Sequence, residues 1–346
     1  MTDEALKLTA YFGERKRTGH RFVAPALLDL FGRRQLTTSI LLRGMEGFGL
    51  KHHLRTDSSL TLSEDLPAVA IAVDTRERID AVLEEATEIC SSGLLTLERA
   101  RMYVDTLNSA ADSVPPAAAA KLTVYLGRQE RAYRMPAFAA VCELLHRRGI
   151  AGASALLGVD GTVRGQRARA RFFGRNADVP MMVIAVGAAE QMTAVLPELG
   201  GLLRRPLITL ERAQVCKRDG QLLDVPHPLP GTDEHGLALW QKLMIYTSES
   251  QLYRRQPIHR MLTRRLRSAG AAGATSLRGV WGFHGAHAPH GDRTWQLGRH
   301  VPVVTVVIDT PERIGEWFQI VDAVTETHGL VTSEMVPALH TTSTTG

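Results

Sequence analysis

The sequence predicts an α+β fold made of three copies of one unit, each ordered strand, helix, strand, strand, helix, strand. Three observations carry that prediction. A five-residue opening recurs as Lys7-Leu-Thr-Ala-Tyr, Lys121-Leu-Thr-Val-Tyr and Lys242-Leu-Met-Ile-Tyr. A glycine-spaced motif follows at a fixed distance, with Gly44, Gly158 and Gly279 each 37 residues after the lysine and Gly47, Gly161 and Gly282 each 40 after it. Pro67, Pro180 and Pro302 then open apolar runs 60, 59 and 60 residues on. Spacing held over such a stretch marks a duplicated domain.

In copy one, Leu6 to Phe12 is short and apolar, as a strand requires. Residues 21–34 place Phe22, Ala26, Leu27, Leu30 and Phe31 at helical spacing and give one apolar face. Thr38 to Leu42 reads as a second strand that ends at the glycine motif. Pro67 starts a continuous apolar run suited to a buried strand. Asp74-Thr75 stands where a helix N-cap belongs, and Ile79, Val82, Leu83, Ala86 and Ile89 continue as an amphipathic helix. Gly93 ends it, and Leu94 to Tyr103 is the last strand. Copies two and three repeat the plan, with helices near 137–148 and 258–269, strands at 180–186 and 302–308, and second helices near 188–203 and 310–327.

This order is the ferredoxin-like plan, a four-stranded antiparallel sheet with both helices on one face. The other face of each sheet is left in need of a partner. The units span 5–104, 121–216 and 238–340, joined by proline-bearing linkers at 105–120 and 217–237.

Composition narrows the function classes. The longest apolar runs are far shorter than the roughly 20 residues of a membrane helix, and the first residues carry Asp3 and Glu4, unlike a secretory signal. Cys90, Cys142 and Cys216 form no Cys-x-x-Cys pair, a reduced-compartment pattern, so a cytoplasmic chain is expected. The net charge of +5 is uneven: +1 over 5–104, +7 over 121–216 and +3 over 242–340. No Gly-x-Ser-x-Gly elbow, Walker loop or His-Glu-x-x-His occurs, so no enzyme is expected.

The residues Lys-Leu-x-x-Tyr-Phe-Gly at 7–13, Leu-Arg-Gly-Met-Glu-Gly-Phe-Gly at 42–49, Leu-Ser-Glu-Asp-Leu-Pro at 62–67 and Val-Asp-Thr at 73–75 resemble the PII-like bacterial family called domain of unknown function 190. Copy three keeps Leu277-Arg278-Gly279, Gly282-Phe283 and Ile308-Asp309-Thr310, whereas copy two loses the aromatic and the arginine. The resemblance implies a relative of trimeric regulatory proteins that bind adenine nucleotides between subunits. Three fused copies are then expected to close a pseudo-trimer within one monomeric chain.

Several sites follow as expectations. Glycines of the motif let backbone N–H groups approach a phosphate, so Arg43, Gly44, Gly47, Phe48 and Gly49, with Arg278, Gly279, Gly282 and Phe283, are candidate nucleotide-phosphate ligands. The alternative is that the glycines only turn the chain. Arg167, Arg169 and Arg171 form a cationic ladder if extended and, with Arg164, a surface for a partner or anion; the alternative is a solvated face. His284, His287 and His290 are candidate metal ligands at a spacing that matches no standard set. The overall expectation is a non-enzymatic regulator with an adenine nucleotide in one or two inter-repeat clefts and no required cofactor or metal. Its partner is expected to be a protein, by analogy a membrane transporter or channel, and not nucleic acid. The rival readings are a metal-tolerance protein and a scaffold that has lost its ligand.

Overall fold

The computed structural model describes residues 3–49, 53–56, 65–105, 119–167, 179–233, 236–285, 288–291 and 301–340. It is a mixed α/β protein with one large antiparallel sheet system and few helices. In repeat 1 the first strand, Asp3–Gly13, lies between the third, Pro67–Thr75, and the fourth, Leu94–Val104; the second, Thr38–Arg43, borders the third. Repeat 2 sets Ala119–Gly127 between Pro180–Ala188 and Leu207–Arg218, with Gly152–Leu157 outside. Repeat 3 sets Leu239–Ser248 between Pro302–Asp309 and Leu330–His340, with Ala274–Arg278 outside. The fourth strand of repeat 2 runs past Cys216, where the sequence ends the unit, because Lys217 and Arg218 still pair with Val331 and Leu330.

One helix follows the first strand of each repeat, Val23–Arg33, Ala137–Arg147 and Ile258–Ala269. Each begins after a two-stranded hairpin; in repeat 1 periodicity extends the helix back to 21, into that hairpin, whereas in repeats 2 and 3 the expected starts at 137 and 258 coincide with the helices. The second helices are Arg76–Ile89 and Pro311–Val324, but repeat 2 splits the element into Ala189–Ala194 and Leu196–Leu202. Pro197 lacks the N–H that a continuous helix needs there. The expected Asp-Thr cap takes another form. Thr75 holds the N-cap position with no side-chain cap bond, while buried Asp74 accepts from the N–H groups of Thr37 and Thr75, both at 2.8 Å. Asp309 does likewise for Ala272 and Thr310 and accepts from the Trp317 indole at 2.8 Å. These carboxylates tie the loop before the second strand to the end of the third.

Three apolar cores lie between helices and sheets, one per repeat. A fourth joins the opposite faces of all three sheets, through Ile40, Ile71, Tyr125, Met182, Met244 and Val306 among others. The bare faces cover one another.

The glycine motif makes the seams. Glu46–Phe48 of repeat 1 pairs with Ala274–Ser276 of repeat 3, Trp281–His284 of repeat 3 with Gly152–Ala155 of repeat 2, and Asp160–Val163 of repeat 2 with Thr38–Leu41 of repeat 1. The series returns to its start. The ends of the fourth strands pair in a second cycle, 101–104 with 207–210, 214–218 with 330–333, and 338–340 with 94–96. A Cβ on Gly47, Gly161 or Gly282 would stand 2.4, 2.2 and 2.2 Å from a carbonyl oxygen of the neighbouring repeat. These glycines are needed for close approach between repeats, more than a turn alone requires. Gly161→Ala is expected to lower stability by about 1–3 kcal/mol through overpacking, read as a fall in the thermal midpoint.

Repeat 3 also buries His259, with neither ring nitrogen hydrogen-bonded, at the position of Ala24 and Phe138 in its siblings. Burial, with Arg260 and Arg278 adding, pushes its pKa down to about 4. The folded state therefore binds fewer protons than the unfolded chain, and stability falls as pH drops from about 6.5 through about 4. His259→Phe is expected to remove that part of the acid limb in unfolding experiments run across pH.

Candidate functional site

Two polar features stand out among the described residues. The first lies where the three sheets meet. Lys7, Lys121 and Lys242 alternate with Glu98, Glu211 and Glu334, every side chain almost fully buried. Lys7 reaches Glu98 at 3.3 Å and Glu211 at 3.1 Å; Lys121 reaches Glu211 at 2.8 Å, Glu98 at 3.4 Å and Glu334; Lys242 reaches Glu98 at 2.7 Å and Glu334 at 2.9 Å. Each lysine therefore bridges its own repeat to another. Burial disfavours the charged form of Glu98, yet Lys242, Lys7 and Lys121 outweigh it and hold the carboxyl well below its usual range. Glu334 is lowered in the same way, by Lys121 and Lys242 against burial. For Lys7 the attraction of Glu211 and Glu98 overcomes burial and raises the pKa.

The three carboxylates offer oxygens within 4.8 Å of one another, spacing a metal could use. Three ammonium groups already neutralise them, so the chemistry of the set is that of an ion-pair lock. The sequence displays all six residues, but its repeats single out only the lysines, as markers of each copy's opening.

The second feature is a cleft of about 380 Å³ between repeats 1 and 3, within the usual size range of ligand pockets. Repeat 1 contributes Tyr11, Phe12, Gly13 and Lys16 from the end of its first strand, Phe48, Gly49, His53 and Arg55 from the motif region, and Ser92, Gly93 and Leu94. Repeat 3 contributes Trp240, Ala272 to Thr275, Val306 and Ile308. Aromatic and small residues make the walls, and cationic groups gather on the repeat 1 side. Arg55 is held by Asp65 at 3.0 Å, and Asp65 also accepts from the Arg15 N–H at 2.6 Å.

The corresponding cleft between repeats 3 and 2 has shrunk to about 20 Å³. Arg218 and Asp219, on the overlong fourth strand of repeat 2 and its turn, line it, and His284 replaces Gly49 and meets Gln251 at 3.2 Å. Between repeats 2 and 1 hydroxyls bridge the seam: Thr38 donates to the Thr162 carbonyl at 3.0 Å and Ser39 to the Thr162 hydroxyl at 2.9 Å. There Thr38 replaces Gly273 and Pro206 replaces Gly93. The position of Lys16 is Gln251 in repeat 3 and Glu130 in repeat 2, so the charge at the cleft changes from positive to neutral to negative. Trp240 is likewise Ala5 and Ala119 in its siblings.

Of the sequence-chosen residues, Phe48 and Gly49 line the open cleft and Phe283 the narrow one. Arg43 pairs with Glu14 at 2.8 Å and Arg278 with Glu249 at 2.9 Å, the same pairing in two repeats. The N–H groups of Gly44 and Gly279 donate to Pro67 and Pro302, each at 2.7 Å, and that of Met45 donates to Ser276 at 2.8 Å. Those amides are engaged in the fold. The residues that sequence reasoning missed, Lys16, His53, Arg55, Trp240 and Gly273, come from segments far apart in the chain. Arg164 donates to the Arg205 carbonyl and Arg167 ends a two-residue strand, while Arg169 and Arg171 lie outside the described residues. His284 and His290 stand on paired strands, with His290 Nδ1 against the Ala288 carbonyl at 2.9 Å; His287 lies outside the described residues.

The family model for DUF190, described as an uncharacterized ACR, matches residues 5–102, 119–215 and 240–338. The chain belongs to this family. This DUF190 protein carries three tandem copies of the domain. A UPF0166 protein of Aquifex aeolicus (strain VF5) is 29% identical over 98 residues, covering 28% of this chain and 91% of that protein. Among solved structures, aspartate kinase from Synechocystis aligns with 97% of the DUF190 chain and 53% of its own, at 11% identity and a TM-score of 0.23. A likeness that low carries no argument.

Proposed function

We propose that the protein is a non-enzymatic, PII-like regulator whose three ferredoxin-like units close an intramolecular pseudo-trimer around the lysine–glutamate lock. It binds one adenine nucleotide, in the cleft between repeats 1 and 3, and its ligand state alters a protein partner. The observation that carries this reading is that cleft itself. It is wide enough for a nucleotide, offers Trp240 to an aromatic base, and places Lys16 and Arg55 where phosphates need cations, with His53 beside them as a hydrogen-bonding group. The cleft between repeats 3 and 2 is far smaller, at about 20 Å³, and hydroxyl bonds cross the seam between repeats 2 and 1.

A ligand switches such a protein only if it binds two states unequally, and His53 and Arg55, which follow the glycine motif, line the cleft. The proposed setting is the cytoplasm, with a transporter or channel as partner. No described helix is long and apolar enough to cross a membrane. Isothermal titration with ATP, ADP, AMP and cyclic nucleotides tests the reading, with one site per chain as the expected result. Absence of heat with every one of them would sink it. Light scattering on a size-exclusion column tests the closure, and a trimer of chains would contradict it.

A further inference from the structure

We propose that the end of the molecule bearing the cleft mouths is a docking face for an anionic phospholipid surface. In each repeat the first and second strands finish together, as Gly13 and Arg43 do opposite Pro67 and Ala68. The same register holds for Gly127 and Leu157, and for Ser248 and Arg278. A two-stranded hairpin follows the first strand at that end in all three repeats, so three hairpins ring it.

Every hairpin presents the same pair of chemistries. Phe22, Tyr133 and Leu252 are large apolar side chains left 41%, 85% and 52% exposed. Arg17, Arg134 and Arg255 accompany them and meet no carboxylate among the described residues; Arg17 lies 4.5 Å over the Phe22 ring. Tyr133 and Arg255 sit at φ 55° and 66°, left-handed conformations that cost energy for such residues and persist only where the surroundings impose them. From 250 to 291 the sequence has seven arginines and no acidic residue.

The occupant follows from the layout. Apolar tips beside guanidinium groups match the boundary between lipid headgroups and acyl chains. Three separate prongs, one on each repeat, fit an extended anionic surface that all three can touch at once; an acidic peptide would engage one prong at a time. The proposal does not depend on what the cleft binds.

Sedimentation of the full chain with phosphatidylcholine vesicles, with and without phosphatidylglycerol, provides the test. The protein is expected to sediment only with the anionic vesicles, and less so as salt rises. Arg134→Glu and Arg255→Glu are each expected to weaken partition at least fivefold, from about 1 kcal/mol per cation. Tyr133→Ser is expected to weaken it several-fold even at low salt. These positions lie outside the cleft and the buried core, so a folding defect is separable by the thermal midpoint. Failure to bind anionic vesicles at low salt overturns the proposal. So does binding that Tyr133→Ser leaves unchanged, or equal binding to polyglutamate, which would point to an acidic protein.

Discussion

Replacing Lys121 by methionine is expected to destabilise the protein by about 3–5 kcal/mol, the usual cost of breaking a buried ion pair by removing one partner. Lys121 contacts all three glutamates, and without it three buried carboxylates share two cations. The remaining charge has no access to water, which is why the loss exceeds that of a surface pair of about 0–1 kcal/mol. Lys121→Met combined with Glu334→Gln restores neutrality and should be more stable than the single variant. Urea unfolding measures both, and a single variant within about 0.5 kcal/mol of the parent would deny the lock its role.

The acid limb supplies a second readout of the same group. The folded-state pKa values of Glu98 and Glu334 lie below the unfolded value of about 4.5. Their contribution is therefore full above that pH and is lost as pH falls through the folded values. Lys7, shifted upward, contributes throughout the neutral range and loses its part only in strong alkali. In Lys121→Met the remaining carboxyls lose a stabilising cation, so the acid limb should move to higher pH. Combining the variant with His259→Phe removes the overlapping histidine contribution from this limb.

The second large effect concerns the open cleft. Lys16→Glu is expected to weaken nucleotide affinity about tenfold to a hundredfold, since a hydrogen bond to a charged group contributes about 1.5–3 kcal/mol. The substitution recreates the charge found at Glu130, the equivalent position of repeat 2. Trp240 provides the signal: bound base should change its emission, and Trp240→Phe should abolish that change while leaving one site by calorimetry. Two or three equivalents of ligand per chain would contradict the assignment of a single open cleft.

The sequence made the repeats and the order of their elements legible because both are written locally, in apolar period and fixed spacing. The asymmetry of the clefts was less visible. Each cleft takes one wall from the motif of one repeat and the other from the second strand of a different repeat, so Gly49 and Gly273 meet across more than two hundred residues of chain. Only the cyclic pairing says which repeat faces which. Arg43 and Arg278 looked like phosphate ligands beside the glycines, but the glutamates that take them, Glu14 and Glu249, stand at the end of the first strand. The lock was missed for a related reason. Charged residues within strands suggest solvent unless three sheets are known to press their faces together.

Fusion of the three repeats changes how such a site can evolve. In an assembly of identical subunits, any substitution at a seam is copied to every seam at once, and a change that helps one position must be tolerated at all of them. Here Trp240, Pro206 and Arg218 are each written once. One junction can be tuned for a ligand while the others are sealed for strength, and the gene explores the three independently. The same arrangement makes the chain indivisible. Every repeat borrows a strand edge from another, so the first to leave the ribosome keeps an unpaired border until the third has been made.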